Sequence, residues 1–140
     1  VDIIFDDANE DEYPLVFDAW ANSYRKSPWA GTVPNHLWDQ TSRAMISDIL
    51  KRGARVLVAA VPLADGSRRV MGYSVSEPGR RILHWLFVKA DYRLPGLQLG
   101  TQLLQKTCPE GDWEYTCRTK ASTRFLGARF QWNPVHARMK

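Results

Sequence analysis

Three groups of residues in this chain could do chemistry. His84 lies inside the apolar run Arg81–Val88, RILHWLFV, and imidazole is the side chain whose ordinary pKa suits proton exchange near neutrality. Glu77 and Glu114 are carboxylate alternatives for a base, and Tyr115 could act as an acid if its ring points into a cleft. The second group is mostly backbone. Arg93, Leu94, Pro95, Gly96, Leu97, Gln98, Gly100 and Thr101 form a Gly/Pro turn that runs into helical spacing at Leu99, Leu103 and Leu104. Such a turn aims free N–H groups at one point beside the positive end of a helix dipole, a geometry that binds phosphate. Gln98 and Thr101 add side-chain donors at its rim. The third group is aromatic: Trp29, His36 and Trp38 in the stretch SPWAGTVPNHLW could line the side of a site that takes a flat or amine-bearing substrate.

Each group has a plainer reading. A histidine on an apolar strand is more often a hydrogen-bonded core residue, a glycine in a βα loop often serves only the turn, and most of the six tryptophans belong to a core. Cys108 and Cys117 have neither CxxC nor metal-ligand spacing, so no metal site is expected and packing is the default for Cys117.

The elements that must position these groups follow from periodicity. A short strand is expected over Val1–Asp6, then a helix from Asp11 with Tyr13, Val16, Phe17, Trp20, Ala21 and Tyr24 on its apolar face. Lys26–Pro34 reads as a loop, and a second helix starts at an Asn35 N-cap, carries Trp38, Met45, Ile46 and Ile49 on one side, and stops at Gly53. Strands follow at Arg55–Val61, Val70–Ser76 and Ile82–Val88, joined by short turns that imply an antiparallel meander. In the middle strand Val70, Gly72, Ser74 and Ser76 should face one side, with Met71, Tyr73 and Val75 on the other. By the same alternation, His84 should share a face with Ile82, Leu86 and Val88. A helix at Gln98–Thr107, a strand at Trp113–Arg118, a helix at Ala121–Phe130 and room for a final strand complete the chain. The order β-α-α-β-β-β-α-β-α(-β) predicts one α/β domain over residues 1–140, its central sheet mixed, mostly antiparallel and flanked by helices.

Composition sets the outer bounds. A hydrophobic share of 44% and a charged share of 24% are those of a globular protein. No apolar run approaches the roughly 18 residues of a membrane span, and no basic-then-apolar leader opens the sequence. With two thiols and no disulfide pattern, a cytoplasmic location is expected. The +4 balance favours polyanions such as coenzyme A or nucleic acid without choosing between them.

The element order, with a phosphate-type turn after the fourth strand, resembles the GNAT acyltransferases, which move an acyl group from coenzyme A to an amine. The likeness spans essentially the whole chain and is most specific at Leu86–Arg93, LFVKADYR. Arg93 and Gly96 fit the first two positions of the family's pyrophosphate motif (Arg or Gln, two residues, Gly, one residue, Gly or Ala). Gln98 stands where the second small residue is expected, so either the loop is two residues longer or Gly100 takes over that glycine's role. The resemblance implies acetyl-CoA or another acyl-CoA as donor, held by the pyrophosphate turn and by free backbone groups of Leu86, Phe87 and Val88. It implies an oxyanion donor near Val88 and direct transfer to an amine, for which His84 and Tyr115 remain the candidate base and acid read from their residue types and positions. In the segment Ser122–Phe130, Phe125 falls near the slot of the tyrosine that usually protonates the thiolate, which leaves that acid unassigned.

The small size and the run His84–Lys89 are similar to phage and mobile-element members of the superfamily, which would place the protein in a host cytoplasm. The acceptor is then an amine on a protein, a small molecule or a nucleic acid, and the protein a monomer or homodimer. Two alternatives stay open. The chain could be a Mom-like enzyme that modifies a DNA base, favoured by the basic C-terminal residues and the tryptophan-rich loop. It could also be a catalytically degenerate GNAT-fold protein that binds a host factor, favoured by the irregular turn and the absent acid.

Overall fold

β-Branched and small apolar residues bury the centre of Arg55–Pro62 (β2), which pairs antiparallel with Arg68–Glu77 (β3). In the computed structural model, which describes residues 2–25, 33–93, 96–118 and 126–137, these two strands lie within one six-stranded mixed sheet. The spatial order follows the chain: β1 (Ile4–Asp7), β2, β3, β4 (Ile82–Val88), β5 (Trp113–Tyr115) and β6 (Phe130–Trp132). The first four are antiparallel to their neighbours, whereas β4–β5 and β5–β6 are parallel. The architecture is the expected α/β one, a mixed sheet flanked by helices.

Alternation along β2 divides the core. Val56 and Val58 meet Val16 and Trp20 of α1 (Tyr13–Arg25) and Ile46 and Ile49 of α2 (Asn35–Lys51). Leu57 and Ala59 point the other way, to Leu99 and Leu103 of α3 (Leu99–Thr107). Burial of large side chains such as Leu103 and Ile46, both 0% exposed, contributes about 1.5–3 kcal/mol each.

Several boundaries differ from expectation. The first helix opens later than Asp11, behind a 3-10 turn at Glu10–Glu12 in which the Asn9 N–H bonds Glu12 Oε1. Pro34, not Asn35, is the N-cap of α2, and Asn35 is already helical. The expected strand Trp113–Arg118 ends at Tyr115, and its last hydrogen bond to β4 is the one from the Thr116 N–H to the Leu83 carbonyl. The helix expected over Ala121–Phe130 is not continued past 126: residues 128–129 turn and Phe130 opens β6, parallel to β5. Residues 121–125 of that helix, with Phe125 and Arg124, lie outside the described residues, as do 26–32 of the loop before α2.

Both face assignments also change, for one reason. Each of β3 and β4 carries an extra residue. The register steps from Ala59↔Gly72 to Ala60↔Val70, which leaves Met71 as a bulge, and from Val75↔Trp85 to Ser76↔Leu83, which leaves His84 as a second. Val70 therefore packs with Tyr73 and Val75 against α1 and α2, and Met71 packs towards α3. His84 lies on the α1–α2 side against Trp20, not on the face of Leu86 and Val88.

Candidate functional site

The site is built where β4 leaves β5. Their pairing covers Ile82↔Glu114 and Leu83↔Tyr115, and the Thr116 N–H bonds the Leu83 carbonyl at 3.1 Å. Beyond that bond no ladder joins the two strands among the described residues. β4 nevertheless continues to Val88 along β3, where the Lys89 N–H donates to the Met71 carbonyl. Strand alternation then turns the amides of Leu86 and Val88 to the β5 side, into the gap. The Val88 carbonyl, facing the same way, accepts Arg93 Nε at 2.6 Å.

At the closed end of the gap lies a buried polar network drawn from four elements. Glu77, at the end of β3, accepts Arg52 Nη2 at 2.7 Å and contacts His84 Nε2 at 2.6 Å through the same Oε2. The other ring nitrogen, His84 Nδ1, is 2.8 Å from Thr116 Oγ1, just past β5. Arg52 is held in position as the C-cap of α2. Burial by itself would raise the Glu77 pKa, but hydrogen bonds from Arg52 and His84 outweigh it and hold the carboxyl below its ordinary value. Glu77 is thus an ionised acceptor, and His84, 0% exposed in its side chain, is clamped between it and the threonine.

At the open end, the chain passes a 3-10 turn at Ala90–Tyr92 and reaches α3 through Gly96 and Leu97. Gln98, the N-cap, sits in the left-handed region (φ 49°, ψ 37°) and makes no side-chain cap bond, so the first-turn N–H groups of α3 have no partner from it. Arg93, Gly96, Gln98 and Thr101 are exposed around that terminus, and the Arg93 guanidinium lies 5.2 Å from the Phe87 ring centroid. A Cβ at Gly96 would meet nothing within 4 Å, so the turn has an open side. Leu94 and Pro95 lie outside the described residues.

The remaining residues singled out from sequence scatter around this axis. Tyr115 packs with Leu83, Cys108 and Trp113 on the α3 side, across the sheet from His84, so the two are not brought together. Glu114 accepts the Asn133 side-chain amide. Trp38 lies half-buried 4.8 Å from the Tyr24 ring, which in turn meets Trp85 edge-on at 5.4 Å; His36 is exposed on the first turn of α2, and Trp29 lies outside the described residues. Burial pushes the Cys117 thiol up to about 12, which removes it as a nucleophile. Of the basic C-terminal residues, Arg129 bonds the carbonyls of Cys108, Pro109 and Gly111, and Arg118 stacks on Trp132. These are bracing contacts within the fold. Sequence reasoning missed Arg52 and Thr116, whose partners Glu77 and His84 lie 25 and 32 residues away and meet only through the sheet order.

No family model matches the chain, and no curated protein matches it. Among solved structures it is similar to yncA from Salmonella typhimurium, described as a putative acetyltransferase with its cofactor acetyl-CoA. That similarity has a TM-score of 0.45 at 17% identity and covers 76% of this chain. The match takes in 61% of the Salmonella chain, so the length shared is under two thirds of it.

Proposed function

We propose that the protein is an acyl-CoA-dependent N-acyltransferase that moves an acyl group, acetyl in the simplest case, directly to an amine. The observation that carries this reading is the gap between β4 and β5, lined by outward-turned strand amides and leading to an uncapped helix N-terminus. An extended amide-bearing chain such as pantetheine would pair with the free edge of β4 at Leu86 and Val88, as a further strand does. Its pyrophosphate would lie against the first turn of α3, beside Gly96, Gln98 and Thr101, with Arg93 as the nearest cation. A thioester carbonyl in the gap would accept an N–H from Leu86 or Val88, a donor already fixed in place before charge develops on the oxygen. The amine would arrive from the α1–α2 side, where the half-buried rings of Tyr24 and Trp38 offer aromatic surface. Tyr115 is on the opposite face, which suits the leaving-thiol side of the gap better than the amine side.

Thermal unfolding with coenzyme A and with acetyl-CoA tests the proposal. At about a hundredfold excess over Kd a ligand stabilises by roughly 2.7 kcal/mol, a shift of several degrees for a chain this size. Gly96→Trp should abolish the shift while leaving the unliganded melting temperature near that of the parent, because the added ring enters open space. No shift with either ligand would refute the reading.

A further inference from the structure

We infer that the Thr116 hydroxyl is the group that takes the proton from the acceptor amine, passing it to His84 behind it; this rests on the acyltransferase reading above. His84 is walled off on both sides. Ionised Glu77 can only accept, so the 2.6 Å contact requires a proton on His84 Nε2. The 3.3 Å approach of Arg52 Nη2 to Nε2 is then two donors sharing one carboxylate oxygen. In the neutral ring a proton on Nε2 makes Nδ1 an acceptor, and Thr116 Oγ1, 2.8 Å from Nδ1 and 3.8 Å from Cys117 Sγ, donates to the nearer and stronger acceptor. Thr116 is 3% exposed, so an N–H from outside the network would meet the hydroxyl's remaining lone pairs only from within the gap between β4 and β5. Carboxylate, imidazole and hydroxyl thus form a chain of three, with the hydroxyl at the end nearest the gap.

Placement supports the same role. Thr116 donates the last backbone hydrogen bond between β5 and β4 among the described residues, so its side chain stands where the strands begin to part. The Leu86 amide lies two residues beyond His84, about 6–7 Å along the strand. An acyl carbon held at Leu86 would thus lie one such step past the network, and the attacking amine would fill the interval between it and Thr116 Oγ1. As the N–C bond forms, the amine proton moves to Thr116 Oγ1 and the threonine's own proton moves to His84 Nδ1. The resulting imidazolium is stabilised by Glu77. When the C–S bond breaks, the proton returns along the same path to the thiolate, so no net charge is left on the protein. Thr116 is the catalytic residue here, whereas His84 acts through it and Glu77 and Arg52 position the ring.

Two measurements test the relay. Nitrogen-15 NMR of the histidine rings in the free protein should show His84 as the neutral Nε2–H tautomer, with a resonance that shifts in Thr116→Val. An Nδ1–H tautomer would overturn the proposal, because Nδ1 could not then receive the threonine proton. In turnover with acetyl-CoA and hydroxylamine as the amine, Thr116→Val should lower kcat about a hundredfold and Thr116→Ser should keep it within about tenfold. Both variants should retain the parent's thermal shift with coenzyme A. An unchanged kcat in Thr116→Val sinks the relay and leaves the acyltransferase reading intact, whereas loss of the coenzyme A shift in the parent sinks both. If hydroxylamine is not turned over, the tautomer decides.

Discussion

Among the described residues, the Arg68–Glu12 and Arg52–Glu77 pairs are both largely buried, and they differ in where their hydrogen bonds lead. Arg68 grips Glu12 with a two-pronged fork, Nε to Oε2 at 3.0 Å and Nη2 to Oε1 at 2.6 Å. Its remaining donors go to the Asp7 carbonyl and Asp6 Oδ2, while Glu12 also accepts the Asn9 N–H. Those bonds close on themselves and tie the turn before α1 to β1 and β3. In the second pair, Arg52 touches Glu77 through one nitrogen, and the carboxylate goes on to an imidazole and then to a hydroxyl at a gap in the sheet. The two pairs have similar exposure, 12% and 11% for the first and 15% and 13% for the second. Burial therefore does not separate a brace from a candidate catalytic network; the fate of the last hydrogen bond does.

That contrast can be broken in graded steps. Arg68→Met leaves Glu12 ionised and half-enclosed, and should cost about 3–5 kcal/mol in urea unfolding while kcat for acyl transfer stays unchanged in the folded fraction. Glu77→Gln should show the opposite balance. The amide can still meet His84, so stability should fall by only about 1–3 kcal/mol, but the imidazolium loses its counter-charge and the pH–rate profile should shift. An unshifted profile would place Glu77 with the braces.

Acid unfolding sharpens the comparison further. Hydrogen bonding to Arg68 lowers the Glu12 pKa, and Arg52 and His84 lower that of Glu77 against the pull of burial. Both carboxylates thus contribute stability that is complete above their ordinary pKa of 4.5 and drains away as pH falls through the depressed folded values. Arg68→Met should flatten this acid limb by removing the Glu12 share, which urea midpoints between about pH 5 and 2 would record. The smallest effect is expected at Ser74→Ala. Ser74 bonds Thr107 Oγ1 at 2.6 Å and Thr107 bonds back to the Leu103 carbonyl, a closed pair worth about 1 kcal/mol by thermal melting, with no change in rate.

Strand β4 shows how far local pattern can be read. Its span, Ile82–Val88, is visible in a run of aliphatic, β-branched and aromatic residues. Its facing is not, because a bulge is set by the partner strand's register and leaves no mark in the run itself. One extra residue at His84 and one at Met71 were enough to reverse the sides assigned to Val70 and His84. The described part of the helix expected over Ala121–Phe130 departs for a different reason: Phe130 enters an edge pairing with Trp113 that no local signal announces. The turn into α3 was legible because glycine, proline and a change of period are local. The network was only half legible: His84 and Glu77 stand out by type, but Thr116 looks like any strand threonine until the parallel crossover sets it opposite the imidazole.

The short ladder between β4 and β5 also governs how the protein breathes. Two residue pairs hold the β5–β6 edge to the rest of the sheet, whereas eight register positions join β2 to β3. Separation at β4–β5 is therefore the cheapest large motion of the sheet, a sub-global opening well below complete unfolding in free energy. Amide protons of Glu114 and Thr116, which bond the carbonyls of Arg81 and Leu83, should exchange with deuterium far sooner than those of Val58 or Tyr73. A ligand that knits the two edges together would slow exchange at that seam first.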